Sequence, residues 1–353
     1  MKTLTRSIML SLLIAVTGLA LVTSTGISQN DQPLDGVEVA QGNASWVSAA
    51  PVTQIGKQLM EELGAEVEIQ EFGSNSIAYS SMNLGDTDFW LNGWFPLHNP
   101  QVPQNFNATI FEPHCPGCTT EGYLINVEAI EEFEITSLED FRGNEELKSA
   151  FDENGDGKAD LFGCPPGWGC NGIINDHFEM YDWFSETFNH VSAAYAANFS
   201  TAQARIDAGD PALFYTWRPN NTVLQLVPGE DVKYVNLVEN AEDLKKAEAY
   251  SALSTDALIA ELGDEGVTDT VNLGFAAGDI HAVANNSFLE NNPAAEELLT
   301  QMRTELQWIN EATLQINEEG ADPAELAAQF IEDNRDTVDE WLNAARGAAS
   351  GMN

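Results

Sequence analysis

Apolar positions along the chain switch between a period of two and a helical period, and the switches mark a series of short elements. Val37 to Ala40 reads as a first strand. Asn43-Ala44-Ser45-Trp46 leads into an amphipathic helix from about Thr53 to Leu63, which Gly64 stops. Glu66 to Gln70 alternates like a second strand, and Ser74 to Leu84 follows as a helix stopped by Gly85. Strand–helix–strand–helix order is the sign of an α/β sheet. Phe89, Leu91 and Gly93 then share one face of a further strand. Trp94 falls where that strand meets a loop, with Pro96 and His98 just beyond. In open α/β sheets, ligands sit outside the carboxyl ends of strands.

Gly122 to Val127 is an apolar strand and the expected crossover to a second lobe. Thr136 to Phe151 reads as a helix capped by Thr136 or Ser137, with Glu139 and Asp140 in its first turn. Ile173 to Phe188 and Thr201 to Gly209 read as helices. Ala212 to Trp217 reads as a strand. Trp94 and Trp217 therefore share a setting: apolar strand, tryptophan, then a proline two residues on (Pro96, Pro219). Residues 239–266 are polar and carry no placeable pattern. Val271 to Phe275 and Ile280 to Val283 are expected as strands returning to the first lobe. Pro293 to Ile309 and Pro323 to Ala345 close the chain as helices, with Leu298, Met302, Leu306 and Ile309 in the core. A length of 353 residues fits two lobes, 35–120 with 270–353 and 121–269, joined by crossing strands.

Composition narrows the partners. Fourteen lysines and arginines against 56 acids give a net charge of −42, which excludes nucleic acid and anionic membrane surfaces. The acids are scattered, as on a solvated acidic surface. Lys2 and Arg6 precede an apolar run from Ile8 to Val22 and small residues through Ser28, the pattern of a cleaved secretory signal over 1–28. No cysteine precedes Cys115, so a free periplasmic protein, most simply a monomer, is expected rather than a lipid-anchored one. Four cysteines fall into two close pairs, Cys115/Cys118 and Cys164/Cys170, and proximity favours the local disulfides.

No serine-nucleophile elbow, phosphate-binding glycine loop or paired-histidine zinc motif is present, so no enzyme activity is expected. His98, His114, His177, His190 and His281 lack metal spacing. Cys115-Pro116-Gly117-Cys118 has the Cys-x-x-Cys form of a thiol–disulfide site, but lacks its usual strand–helix context; a small structural disulfide is the plainer reading. Asp152, Asn154, Asp156 and Asp160 alternate around a glycine turn and form a candidate calcium loop, although Gly163 stands where a twelfth-position glutamate belongs. The alternative is a solvated turn, and no other cofactor is implied. Cys164-Pro165-Pro166-Gly167-Trp168-Gly169-Cys170 is the most constrained stretch. Its prolines and short closure fix Trp168, and its glycines leave backbone N–H groups open to approach. Trp94, Trp168 and Trp217 suit a quaternary ammonium group, which cannot donate hydrogen bonds and is held by aromatic faces. His98 and the N–H groups of Gly169 and Cys170 suit a carboxylate at the other end.

The run Phe151 to Gly172 closely resembles that of the periplasmic glycine betaine-binding proteins of the osmoprotective proline/betaine ABC importers. Trp94-Phe95-Pro96-Leu97-His98, Gly122-Tyr123-Leu124-Ile125, Tyr215-Thr216-Trp217, and Gly274-Phe275 with Ile280-His281 are similar to further family segments, in family order. The resemblance implies a two-lobed, type II-like periplasmic-binding-protein fold that closes on a compatible solute and delivers it to a membrane permease. It implies a tryptophan box of Trp94, Trp168 and Trp217, carboxylate donors at His98, Gly169 and Cys170, and a Cys164–Cys170 disulfide. A receptor for another zwitterion such as proline, or a periplasmic thiol–disulfide protein, are the alternatives. The chain departs from the family at Phe95, at Arg218 with Asn220-Asn221, and in the extra pair Cys115/Cys118.

Overall fold

The computed structural model describes residues 31–239, 266, 272–276 and 278–351. The expected signal segment, 1–28, and nearly all of the unplaced polar stretch lie outside the described residues. Among the described residues, nine strands form one sheet: β1 Glu38–Ala44, β2 Glu66–Phe72, β3 Phe89–Phe95, β4 Ala108–Asn126, β5 Ala159–Phe162, β6 Phe188–Val191, β7 Leu213–Arg218, β8 Val232–Val235 and β9 Gly278–Asn285. Their order is β2-β1-β3-β9-β4-β7-β5-β6, with β8 also on β4.

The sheet has two halves hinged on one long strand. β2, β1 and β3 run parallel in the first half, and β6, β5 and β7 run parallel in the second. β4 pairs antiparallel with β9 as far as Thr119, and with β7 from Thr120 onward. Its upstream half, residues 108–121, was not expected as strand. Alternating burial there is obscured by Pro113, Pro116 and the Cys115–Cys118 disulfide, and the pairing to β9 slips register between Ile110 and Thr119.

Parallel strands need crossovers, and the amphipathic helices supply them. Helix α1, Ala49–Glu62, buries Val52, Ile55, Leu59 and Met60. Each such side chain contributes about 1.5–3 kcal/mol by leaving water. Helix α2, Asn75–Leu84, ends at Gly85, whose φ of 84° gives the left-handed cap that glycine adopts freely. In the second half come α3 Val127–Phe133, α4 Glu145–Ala150, α5 Gly169–Met180, α6 Asp182–Thr187 and α7 Tyr195–Asp207.

Several expected helices are divided. The span 136–151 is a 3-10 turn, Leu138–Phe141, and then α4. Gly143 separates them at φ 70°, and Ser137 caps the turn with Asp140 in a capping box. The span 173–188 breaks at Tyr181, which is extended and caps α6. The two closing helices divide into Pro293–Gln301 and Leu306–Leu314, and into Pro323–Asp333 and Arg335–Ala349. Leu298, Met302 and Ile309 are buried, with Leu306 packed at the edge of the same cluster. Residues 272–276 form bends rather than a strand, held by Asn236 and Asn272 side chains that accept the N–H groups of Asn272 and Gly274.

Candidate functional site

Four tryptophans gather at the carboxyl ends of two pairs of parallel strands, one pair from each half of the sheet. Trp46 follows β1, Trp94 ends β3, Trp168 stands in the loop after β5, and Trp217 lies near the end of β7. They form a chain of ring contacts: Trp94 to Trp46 at 5.9 Å, Trp46 to Trp168 at 5.6 Å, and Trp168 to Trp217 at 5.4 Å. Each contact is edge to face, with interplanar angles of 73–85° between rings, so the indoles wall a space instead of stacking shut. Tyr195 backs this wall, 6.2 Å from Trp168 and 4.3 Å from Trp217. The prolines after Trp94 and Trp217 both follow cis peptide bonds, Phe95-Pro96 and Arg218-Pro219, which turn the chain off the strand ends. The cavity between them is lined by Trp46, Trp94, Trp168 and Trp217, with Asn75, Leu97, His98, Glu121, Gly169, Cys170 and Tyr215.

The donors lie together. Gly169 and Cys170 open α5, and the first N–H groups of a helix have no intrahelical partner. The positive end of the helix dipole therefore faces the cavity. Gly169 stands so close to His98 that a Cβ there would lie 3.3 Å from the ring, so glycine permits the approach. Gly167, at φ 94°, shapes the preceding turn, and the Cys164–Cys170 disulfide closes it. His98 Nδ1 accepts from the Trp94 N–H at 3.1 Å and from the Tyr79 hydroxyl at 2.8 Å. Burial holds the ring neutral, its pKa lowered to about 3. A neutral ring with an accepting Nδ1 carries its proton on Nε2. That nitrogen lies 2.9 Å from the Asn75 side-chain nitrogen, which donates to the Gln101 side-chain oxygen at 3.1 Å. A ligand oxygen is an acceptor for the Nε2 proton.

All six expected ligand residues, Trp94, His98, Trp168, Gly169, Cys170 and Trp217, border this one cavity. Sequence reasoning passed over Trp46, Asn75, Glu121 and Tyr215. Glu121 is 2% exposed and accepts the Tyr215 hydroxyl at 2.8 Å; burial raises its carboxyl to about 8. Arg218 does not line the cavity. It is buried and donates to the Thr120 hydroxyl at 2.9 Å. The two lobes meet across the site, where Trp168 Nε1 donates to Ser45 Oγ at 3.0 Å and Asn75 N–H donates to the Gly167 carbonyl at 3.3 Å.

The remaining candidates fall elsewhere. Asp152 accepts the N–H groups of Gly157, Gly155 and Asp156, which hold its pKa below the ordinary value. Asp160 accepts those of Glu153 and Asn154 and the amides of Asn154 and Asn189. Asn154 and Asp156 accept the N–H groups of Asp156 and Lys158. These four side chains thus accept from N–H groups of the loop and, at Asp160, from Asn189 on β6. Among the described residues no group of three or more His, Cys, Asp or Glu is placed to hold a metal. Cys115 and Cys118 are bonded and buried, 0% and 3% exposed, which does not suit thiol exchange. His114, His177 and His281 bond backbone carbonyls of Leu91, Gly274 and Phe111 and serve the fold.

Known proteins similar to this chain share one theme. The family described as the substrate binding domain of ABC-type glycine betaine transport system matches residues 37–333. The glycine betaine-binding periplasmic protein OusX of Dickeya dadantii is 31% identical over 95% of this chain and 98% of its own. The glycine betaine/proline betaine-binding periplasmic protein of Escherichia coli is 29% identical over 94% of this chain and 97% of its own. Lactococcal OpuAC, solved closed with glycine betaine, shares the fold at a TM-score of 0.64 and 18% identity, covering 87% of this chain and 99% of that one.

Proposed function

This chain belongs to the substrate-binding domains of ABC-type glycine betaine transport systems, and from that premise we propose that it captures a betaine-type zwitterion between its lobes and passes it to a membrane permease. The observation that carries the ligand assignment is the pairing of two unlike walls in one small cavity. One is four tryptophan edges and faces; the other is the His98 Nε2–H with the first N–H groups of α5. A trimethylammonium group gains about 2 kcal/mol or more from desolvated aromatic faces, and a carboxylate gains charge-assisted hydrogen bonds from oriented donors. Trp46 and Trp94 come from the first half of the sheet, Trp168 and Trp217 from the second, so a ligand held by all four bridges the lobes.

The protein works as a monomer in the periplasm after loss of its signal segment, and binds rather than transforms its ligand. Support for the periplasmic address comes from the periplasmic relatives; separately, among the described residues no helix is long and apolar enough to cross a membrane. Titration with glycine betaine, proline betaine, choline and proline, followed by tryptophan fluorescence, tests the assignment. Saturable binding of at least one betaine at micromolar concentration is expected. Absence of binding by all four overturns it.

A further inference from the structure

Among the described residues that line the cavity, Glu121 is the one acid. It lies on β4 just where that strand passes from one half of the sheet to the other. In the β4/β7 register Glu121 stands opposite Trp217, so both side chains leave the sheet on one face, and Tyr215, two residues away, shares it. The next pair, Thr120 opposite Arg218, takes the other face, where the guanidinium bonds the Thr120 hydroxyl. The carboxyl is thus set into the aromatic wall, away from the nearest arginine. One oxygen already accepts the Tyr215 hydroxyl. No lysine or arginine lines the cavity among the described residues, and His98 is neutral.

A buried carboxyl set in a cation-binding wall, without a cation from the protein beside it in the cavity, is placed to receive a positive charge from outside. Resting on the function proposed above, we propose that Glu121 is a specificity-determining residue. It is the counter-ion of the ligand's quaternary ammonium, and it favours ligands of net positive charge, of the choline class, relative to zwitterions. The reason is charge balance in a small cavity of low effective dielectric. A zwitterion brings its own carboxylate, which opposes ionised Glu121; a choline-type cation brings none.

Binding such a cation drives the carboxyl to ionise, so a proton leaves as the ligand enters. The groups around Glu121 do not obscure this. Tyr215 and, behind it, Tyr195 are raised well above neutrality by burial, and His98 titrates at about 3. Phe275, which packs on Tyr215, is uncharged. Arg218 lies on the opposite face, on the Thr120 hydroxyl. Between pH 6 and 8 the titrating group of the cavity is therefore Glu121.

Calorimetric titration of choline and glycine betaine into the wild type, Glu121→Gln and Tyr215→Phe tests this at pH 6, 7 and 8, in two buffers of different ionisation enthalpy. In the wild type, choline affinity should climb by up to about tenfold per pH unit below the carboxyl's own pKa, with release of close to one proton. Glu121→Gln should abolish that release and weaken choline at least ~10-fold more than betaine. Tyr215→Phe removes a hydrogen bond that favours ionisation and should move the rise to higher pH. A Glu121→Gln protein with an unchanged choline-to-betaine ratio and proton count overturns the inference alone. So does a wild type that binds betaine but shows no pH dependence with choline. A wild type that binds neither ligand overturns the proposed function and this inference together. Should Glu121→Gln fail to fold, the wild-type slope and the Tyr215→Phe shift decide.

Discussion

Trp46 shows how a residue escapes a reading of the sequence. It touches both Trp94 and Trp168 and so joins the walls of the two lobes. In sequence it stood only as a lead into a helix, because no proline follows it as Pro96 follows Trp94 and Pro219 follows Trp217. The usable signal was positional: an aromatic just past the carboxyl end of the first strand of an α/β sheet. Trp94, Trp168 and Trp217 were legible since each carries a second mark, a proline two residues on or a closed cysteine loop. Glu121 was not legible at all. Among 56 acids nothing local distinguishes it, and its burial depends on β7 arriving from nearly a hundred residues away. Truncation of any wall tryptophan to alanine should weaken betaine binding by ~1–3 kcal/mol, with Trp46→Ala costing as much as Trp94→Ala, Trp168→Ala or Trp217→Ala. Affinities like the wild type in all four variants would return these rings to a purely structural role.

At the scale of elements, what local chemistry determines was readable and what distant packing determines was not. α1, α2 and β1 to β3 follow from periodicity and glycine stops, and they appear within a few residues of expectation. Helices drawn too long were cut where the chain must turn onto the sheet, at Gly143, Tyr181 and Asn334. The half of β4 before Thr120 was missed because its partner β9 lies far away in sequence. The cysteine loop was read locally, but not as the cap of a helix. α5 begins at Gly169, so the disulfide Cys164–Cys170 ties the chain before the helix to its second residue and fixes where the dipole points. Closing so short a loop contributes about 2 kcal/mol to stability, or a few degrees of melting temperature in a chain of this size. In a Cys164→Ser/Cys170→Ser protein we expect that modest loss without ligand, together with a loss of betaine affinity of at least ~10-fold, because Trp168 and the α5 donors lose their setting. Unchanged affinity alongside a large drop in melting temperature would make the bridge a plain staple.

For the whole molecule, the sequence conveyed two lobes and crossing strands, while the way those strands bind the lobes into one sheet came only with the β4 register. The same junction sets the response to acid. Burial lowers His98 to about 3 and His114, His177 and His190 to about 4, and raises Glu121 to about 8. A histidine neutral in the fold takes up a proton on unfolding once the pH is below its ordinary value of about 6.5. Its contribution is therefore complete above 6.5 and fades as pH falls toward the folded value. Glu121 works the other way: its proton is held in the fold between the ordinary carboxyl range and about 8, so its contribution fades as pH rises through that window. Between about pH 4.5 and 6.5 the balance is 4 − 1 = 3 protons taken up on unfolding, and from 6.5 to 8 it is one proton released. Stability should peak near pH 6.5 and fall more steeply on the acid side. The net charge of −42 adds a surface repulsion that acid relieves, which pulls the other way. At about 1 M salt that repulsion is screened to about 3 Å while buried groups are little affected. Denaturant melts from pH 5 to 8 at that salt should therefore uncover the peak, and a stability that rises steadily from pH 6.5 down to 5 would show that the buried histidines are not held neutral.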